Sequence, residues 1–210
     1  DGLITIRETD RMLVLSCEQF TYVFNKLTGL FDKMTFANEP LLDQPMGFNV
    51  WRAPTDNDRK LKADWYAAHY DHAATNAYHT EYTVTASGVT LHTHVGIAAI
   101  CVQKFLDLDV TWTVANNGSV DLALHAQRNT VFPELPRFGL RLFLPQEMSQ
   151  VNYYGMGPME CYRDKHHAAS HSSYTATVWQ LHEDYIRPQE NGSHFDCDYV
   201  MLSLIHISEP

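Results

Sequence analysis

The densest group of polar side chains in the sequence lies in the segment 51–59, which reads WRAPTDNDR. An apolar run ends there at Pro54, which lacks a backbone donor and pushes Ala53 toward an extended conformation. Two carboxylates, an amide and two guanidinium groups crowd around this proline. Such a group could form a self-satisfied structural loop, bind a cation, or present hydrogen bonds to a sugar or another domain, and residue chemistry alone favours the structural loop.

Two kinds of metal site can be weighed from the residues. The turn Asp56–Asp58 offers oxygen ligands of the kind hard cations prefer, but Arg59 and Lys60 stand where an EF-hand loop needs further ligands and a glycine. His167 and His171 would share one face of a helix, yet no third ligand follows at a diagnostic interval for zinc. We therefore expect no metal in this chain.

Motifs for other chemistries are weaker. The sequence lacks a GxSxG elbow, and the segment 154–158, YGMGP, fits a tight loop better than a dinucleotide site because a proline replaces the third glycine. A net charge of -10 without a Lys/Arg stripe would repel a phosphate backbone, so we expect no nucleic-acid partner. Apolar stretches fall short of the roughly 20 residues of a membrane helix, so we expect no membrane partner.

The secondary-structure elements that must position these residues are predicted to be mostly β-strands. The segment 116–118, Asn-Asn-Gly, is a strong tight-turn signal, and in the run before it the alternate residues from Leu106 to Val114 form an apolar core face. A single short helix is predicted over 63–70. The predicted strands are 3–6, 12–16, 20–24, 30–36, 82–86, 89–95, 101–115, 120–131, 139–144, 151–154 and 199–202.

Regular strand spacing without alternating long helices argues for an all-β fold, an antiparallel sandwich. At 210 residues and 45% hydrophobic composition, with no linker between separate cores, we expect one domain. The four cysteines are scattered and lack CxxC spacing, which is typical of free thiols in a reducing compartment. The chain begins at Asp1, and we expect it to be a piece of a longer protein.

Four motifs in order along the chain carry a resemblance to a known family. They are WRAPTDNDR at 51–59, LPRFG at 135–139, YGMGPMECY at 154–162 and YIRPQENG at 185–192. Together they resemble the small-chain, C-terminal domain of beta-galactosidases of glycoside hydrolase family 2, from near the start of the chain to about Ser203. The resemblance implies a large two-sheet sandwich of the galactose mutarotase-like supersandwich type, incomplete at its C-terminus.

The resemblance also implies a function. The complete enzyme would hydrolyse terminal β-D-galactosyl residues, as in lactose, with retention, which requires two carboxyl groups about 5 Å apart. The resemblance places both catalytic glutamates, and the Mg²⁺ and Na⁺ that serve them, in a barrel domain outside these 210 residues. We therefore expect no catalytic residue and no cofactor here, and an inactive chain when it is alone.

The motif loops are expected to be structural or to contact the barrel. Their candidate residues are Trp51, Arg52, Asp56, Asn57, Asp58, Arg137, Glu160, Tyr162, Glu190 and Asn191. We expect the carboxylates of Glu160 and Glu190 to accept hydrogen bonds from arginines or backbone amides and so to fix loop geometry. Arg52, Asp56 and Asp58 are expected to form a charge-paired loop packed near them.

The implied partners are the barrel-containing remainder or a large chain, a galactoside in the full enzyme, and further copies in a homo-oligomer or a heterodimer. The implied location is the bacterial cytoplasm. The alternative is a stand-alone carbohydrate-binding or assembly module, in which Trp51 or the pair Trp65 and Tyr66 would face a sugar. The tail 204–210, LIHISEP, does not continue the family pattern, and we expect it to be foreign sequence.

Overall fold

A computed structural model describes residues 2–204, and most of its regular structure is β-strand. The strands are β1 Thr5–Glu8, β2 Met12–Ser16, β3 Phe20–Asn25, β4 Leu30–Phe36, β5 Glu39–Pro40, β6 Gln44–Asn49, β7 Ala74–Thr85, β8 Gly88–Ala98, β9 Leu106–Ala115, β10 Val120–Arg128, β11 Gly139–Phe143, β12 Gln150–Gly157, β13 Ser170–Thr177 and β14 Tyr199–Ser203. One α-helix of the described part, α1, spans Lys62–Ala67, and short 3₁₀ helices span Asp56–Asp58, Tyr70–His72 and Val178–Leu181. Apart from Leu204, the predicted foreign tail lies outside the described residues.

Contacts along the chain divide it into two compact units. Unit 1 comprises Asp1–Arg52 and Leu61–Leu144, and unit 2 comprises Ala53–Lys60 and Pro145–Pro210. The boundary falls inside the first motif, so its tryptophan and first arginine belong to unit 1 while its acidic turn belongs to unit 2. A single domain over 1–203 stays a prediction.

The described part of unit 1 contains three antiparallel sheets: a small one that pairs β6 with β11, and two larger ones whose apolar faces meet. One sheet has the order β1-β2-β3-β4-β5 and the other has the order β10-β9-β8-β7. The edge of the Phe31 ring meets the Trp112 ring with 5.2 Å between centroids, and the Trp112 Nε1–H donates to the Gly29 carbonyl at 3.0 Å. These contacts join the two sheets, which confirms the predicted all-β sandwich.

The predicted core face of β9 is confirmed. Its five alternate members are all buried: Leu106, Leu108, Val110, Trp112 and Val114. Successive strand side chains point to opposite faces, so a period of two in the sequence places all five on one side of the sheet. Burying each such side chain contributes roughly 1.5–3 kcal/mol, so this face is a substantial part of the core of unit 1.

Strand β4 breaks the strict alternation of buried and exposed residues. Leu30 and Phe31 are adjacent in sequence and both are buried. The register between β3 and β4 shifts between Val23 and Phe24, which marks a bulge. Because a bulge sets two residues of one strand against one of its partner, neighbouring side chains can both reach apolar surroundings.

The Asn-Gly turn lies between β9 and β10, where the sequence predicted it. Gly118 has a φ of +86°, a conformation that a side chain strongly disfavours. A Cβ on Gly118 would also lie 2.8 Å from the Phe36 ring. The Asn117 side chain accepts a hydrogen bond from the Ser119 N–H at 3.0 Å, which closes the turn.

Several predicted boundaries were wrong, for local reasons. Strand β7 starts at Ala74 instead of 82, and β9 starts at Leu106 instead of 101. Helix α1 ends at Ala67, and two residues later His69 takes a φ of +57°, which an α-helix cannot continue through. Strands β6 and β13 were missed because QPMGFN contains Pro and Gly, while SHSSYTAT has too few apolar residues to alternate.

Unit 2 is built on a three-stranded antiparallel sheet with β12 at its centre, in the order β13-β12-β14. The Val151 and Tyr153 side chains of β12 are buried on one face. Long loops follow β12 and β13, and they hold the last two sequence motifs. The two loops meet where the Cys161 N–H donates to the Ser193 carbonyl at 2.8 Å.

Candidate functional site

The first two residues of the WRAPTDNDR motif pack against helix α1 in unit 1. The Trp51 ring lies 5.2 Å from the Tyr66 ring, and the Arg52 guanidinium carbon lies 5.1 Å from the centre of the Trp65 ring. Trp65 itself is buried, and its Nε1–H donates to the Glu134 carbonyl at 3.0 Å. A buried ring with a satisfied N–H serves packing, so Trp65 is not available as a sugar platform.

The acidic turn of the same motif is held from within by Asp58. This carboxylate is buried and accepts hydrogen bonds from the Thr55 N–H at 2.7 Å and the Thr55 hydroxyl at 2.9 Å. The arrangement is that of a side chain capping the start of a short helix, where backbone N–H groups lack partners. Asp58 is therefore a structural residue of the turn, while Asn57 beside it is exposed.

Asp56 points the other way and binds two arginines. Its Oδ1 accepts from Arg59 at 3.0 Å, and its Oδ2 accepts from Arg187 at 3.3 Å. The Asp56 backbone N–H also donates to the Pro188 carbonyl at 3.3 Å. The acidic turn is thus charge-paired, and it is attached to the loop that contains the YIRPQENG motif.

Glu160 lies at the centre of the contacts between the last two motifs. Its carboxylate is buried and accepts hydrogen bonds from the Tyr162 hydroxyl at 3.3 Å, the Lys165 ammonium at 3.3 Å and the Gly192 N–H at 3.1 Å. A buried carboxylate is tolerated when several donors compensate its lost hydration. The backbone amide is one of the donor types expected from the sequence, whereas the tyrosine and lysine were not anticipated.

The pKa of Tyr162 is affected by both of the loops that contain Glu160 and Glu190. Burial raises the pKa of Tyr162 to about 12, and the negative charges of Glu160 and Glu190 act in the same direction. Each of these effects disfavours a phenolate. Tyr162 therefore remains a neutral hydrogen-bond donor throughout the physiological pH range.

Asn191 closes the remaining loop. Its Oδ1 accepts from the Glu183 N–H at 3.1 Å, and its Nδ2 donates to the Glu183 carbonyl. One side chain thus satisfies both backbone groups of a residue eight positions earlier, as a strand partner would. The segment between them, which includes Arg187 and Pro188, is held as a compact loop.

These contacts define what we call the loop cluster, the segments 55–59, 159–165 and 183–192 of unit 2. It brings together seven predicted site residues: Asp56, Asn57, Asp58, Glu160, Tyr162, Glu190 and Asn191. The other predicted residues in unit 1 are Trp51, Arg52 and Arg137, and Arg137 lies beside Asn49 at a shallow surface depression. Sequence reasoning missed Arg187 and Lys165 as partners of the acidic residues, although Arg187 stands within the YIRPQENG motif.

A cavity of about 530 Å³ opens at the loop cluster. Its polar wall includes the Glu160, Lys165 and Glu183 side chains. Met159 and Tyr185 line it as well, and both are exposed apolar or aromatic side chains. The Lys165 ammonium lies 5.8 Å from the centre of the Tyr185 ring, a cation–π distance.

The described residues do not form a metal centre of three or more His, Cys, Asp or Glu side chains. The acidic turn does not fit Mg²⁺ or Na⁺, since Asp56 pairs with two arginines and Asp58 with the Thr55 donors. His167 and His171 do not share a helix face, because His171 lies in strand β13. In the described part of the chain, α1 and the 3₁₀ helices are all too short to cross a bilayer.

The described strands pair in antiparallel sheets, and the polar side chains of the motif loops bind groups of the same unit. The sequence of the chain matches the family model described as beta galactosidase small chain over residues 16–206. The chain therefore belongs to the beta-galactosidase small-chain family. The matched region includes the first three residues of the tail that was predicted to be foreign.

Individual relatives agree with the family match. The chain is 40% identical to a beta-galactosidase of Actinobacillus pleuropneumoniae over 190 residues, which are 90% of this chain and 19% of the relative. It is 35% identical to a beta-galactosidase of Staphylococcus xylosus over 201 residues, 95% of this chain and 20% of that relative. The chain thus spans about a fifth of the length of the curated relatives it matches.

Proposed function

We propose that this chain is a non-catalytic part of a beta-galactosidase that hydrolyses terminal β-D-galactosyl residues with retention. Its role would be to support a barrel active site supplied by the remainder of the protein or by a separate large chain. Membership of the small-chain family and the coverage of about a fifth of each relative support this role. The Mg²⁺ and Na⁺ that the resemblance implies would bind in that barrel.

The observation that supports the proposal is that the loop cluster binds its acidic side chains internally and exposes its apolar side chains. Its acidic side chains bind groups of the same unit, as Glu160 does with Tyr162 and Lys165. Its apolar side chains point outward, since Ile186 is fully exposed and Met159 is more than half exposed. Exposed apolar residues on loops with fixed geometry are the usual anchors of a protein contact.

Glu160 is also poorly suited to a catalytic role in this setting. An attacking or proton-donating carboxyl group must be free to reach substrate. The two Glu160 oxygens accept three hydrogen bonds within unit 2, including one from an ammonium group. This supports a structural role for the carboxylate.

The test is association in solution with a matched barrel-containing partner. The full chain would be mixed with the Actinobacillus pleuropneumoniae beta-galactosidase from which the segment matching this chain has been removed, and binding would be followed by sedimentation velocity. We expect a complex, and we expect Ile186→Ser to weaken it about tenfold because a central apolar anchor is lost.

The matched control is Ile100→Ser, which changes an equally large and highly exposed isoleucine in unit 1. This variant should bind as the unchanged chain does. If both folded variants bind equally well, the loop cluster is not the contact surface. If the unchanged folded chain does not associate at all, the proposed supporting role is wrong.

A homo-oligomer or heterodimer and a cytoplasmic location belong to the same proposal and rest on family membership and on the scattered cysteines. The stand-alone sugar-binding alternative loses one of its predicted surfaces, since Trp65 is buried. Trp51 likewise packs against neighbouring aromatic rings.

A further inference from the structure

Strand β10 of unit 1 is an edge strand whose core-facing side chains are partly uncovered. It lies at one end of the four-stranded sheet, and within residues 2–204 no further strand pairs with its outer side. Leu124 lies opposite Val110 of β9, and Ala126 lies opposite Leu108, so these side chains share the core face. Val110 and Leu108 are fully buried, whereas Leu124 is 37% exposed and Ala126 is exposed as well. The core of the sandwich is therefore open along β10.

The backbone of β10 is regular along its whole length. Its nine residues, Val120–Arg128, pair with β9 without a register shift. The sequence of this strand, VDLALHAQR, contains no proline, glycine or lysine. Alternate N–H and C=O groups of an edge strand point away from the sheet, so β10 presents a straight row of backbone donors and acceptors to which another strand can pair.

The other edges of the two larger sheets are less suited to such pairing. Strand β1 has four residues, and β5 has two, one of which is Pro40. Strand β7, at the opposite edge of the sheet that contains β10, has a register shift between Ala77 and His79. Short strands, prolines and bulges are the usual features that prevent edge-to-edge association. Strand β10 is long, regular and without proline, so it is the edge on which a further strand fits best.

The sequence of β10 is complementary to itself in the antiparallel direction. A two-fold axis perpendicular to the sheet keeps core-facing residues on the core face, as the same-surface contact of a symmetric dimer requires. With this axis at Ala123, Leu122 of one copy lies opposite Leu124 of the other. The same register sets Asp121 opposite His125 on the outer face. An apolar pair over the open core and a carboxylate–imidazole pair outside it both favour this arrangement.

We propose that two copies of this chain associate through β10, which joins their four-stranded sheets into one antiparallel sheet of eight strands. Main-chain hydrogen bonds supply affinity, and the paired leucines remove apolar surface from water. The contact uses nine residues of each copy, fewer than the roughly 20–30 of a stable interface, so the association is weak. It rests on β10 alone and does not depend on the proposed role of the loop cluster in a larger enzyme.

The test is sedimentation velocity of the full chain by itself over a series of concentrations. We expect a monomer–dimer equilibrium with a Kd of about 10–100 µM, in the range of small interfaces. Ala123→Lys should raise this Kd about tenfold, because two ammonium groups would meet at the two-fold axis. Ala123→Thr should retain the dimer, since threonine suits a strand and carries no charge. Ala123 is exposed in the single chain, so both variants should fold.

The matched control is Thr83→Lys, which places a lysine at an exposed position of β7, the opposite edge of the same sheet. This variant should dimerise as the unchanged chain does. Hydrogen exchange locates the contact independently of any substitution. Exchange of the β10 amides should slow as the concentration of the chain rises, whereas exchange of the β7 amides should not change.

The proposal is overturned if the folded chain stays monomeric well above the expected Kd, or if Ala123→Lys and Thr83→Lys weaken the dimer equally. It is also overturned if the chain stays monomeric while Ala123→Lys weakens its binding to the Actinobacillus pleuropneumoniae beta-galactosidase that lacks the matching segment, because a strand of that partner would then occupy the edge. A dimer that Ala123→Lys dissolves, in a chain that does not bind this partner, would support the β10 contact and contradict the proposed function.

Discussion

The sandwich of unit 1 and the loop cluster of unit 2 are stabilised in opposite ways. In unit 1, buried rings and aliphatic chains of two sheets pack across one core, as Phe31 does against Trp112. In the loop cluster, a buried carboxylate gathers three donors from three positions of the chain. Apolar packing spreads stability over many residues, whereas the polar cluster concentrates it in a few hydrogen bonds.

The two regions also differ in which side chains they bury and which they expose. The sandwich uses its apolar side chains internally. The loop cluster uses its polar side chains internally and leaves Ile186 and Met159 exposed. A region that pairs its charges internally and displays apolar anchors is suited to contact with another protein surface.

The largest effect is expected in the sandwich core. Trp112→Ala should reduce the free energy of unfolding by about 3–5 kcal/mol, since it creates a cavity and leaves the Gly29 carbonyl without its indole donor. Urea denaturation followed by circular dichroism would measure it. A loss below about 1 kcal/mol would show that the two sheets do not depend on this contact.

A smaller but still clear effect is expected at Glu160. Glu160→Ala should cost about 1–3 kcal/mol because the Gly192 N–H and the Tyr162 hydroxyl lose their acceptor in a buried place. Glu160→Gln keeps an acceptor and should cost less. The control is Glu147→Ala, at an exposed position, which should change the free energy of unfolding by less than about 0.5 kcal/mol. If the two alanine variants have equal effects, the hydrogen bonds of Glu160 do not stabilise the loop cluster.

The acidic turn should respond more weakly. Asp58→Ala removes the acceptor of the Thr55 N–H and hydroxyl and should cost about 1 kcal/mol, the usual size of a capping effect. Asn57→Ala, one residue away and exposed, is the control and should be nearly neutral. Chemical denaturation of the two variants would distinguish a capped turn from one held by the neighbouring loop alone.

Alkaline pH should weaken the loop cluster through Tyr162. Its pKa is raised to about 12 in the folded chain, so the unfolded chain ionises this phenol first, near 10. The stabilising contribution is therefore complete below pH 10 and is lost as pH rises toward 12. Tyr162→Phe should lose less stability over this interval than the unchanged chain, as measured by denaturation at stepped pH, and identical pH profiles would contradict the burial of Tyr162.

The smallest effect is expected on the exposed face of unit 1. The hydrogen bond from His94 lowers the pKa of Asp109 below its usual 3.8. This contribution is present above that pH and is lost as pH falls through the folded-state pKa, but exposure to solvent keeps it small. Asp109→Asn should make the free energy of unfolding fall slightly less steeply as pH decreases. If this one substitution removed most of the pH dependence, surface ion pairs would contribute more to stability than is expected.

The sequence predicted the sandwich because its signals were local. The alternating residues of β9 and the Asn-Gly turn depend on neighbours a few positions away, and both were found where they were expected. Strand β13 could not be read in the same way, since its residues are mostly polar and its pairing depends on β12 some twenty positions earlier in the chain. The sequence of one strand does not show which distant strand it pairs with.

The candidate site was predicted in part for a related reason. The family motifs marked Glu160, Glu190 and the acidic turn, but motif residues do not show which donors they meet. The contact between Asp56 and Arg187 joins positions 131 residues apart, and only the fold brings them together.

Hydrolysis of a chromogenic galactoside tests the central claim most directly. Three samples are compared: the full chain alone, the truncated Actinobacillus pleuropneumoniae beta-galactosidase alone, and the mixture of the two. The proposed supporting role predicts no hydrolysis by the chain alone and more hydrolysis by the mixture than by the truncated enzyme. Hydrolysis by the purified chain alone, or a folded and associated mixture no more active than the truncated enzyme, would contradict it.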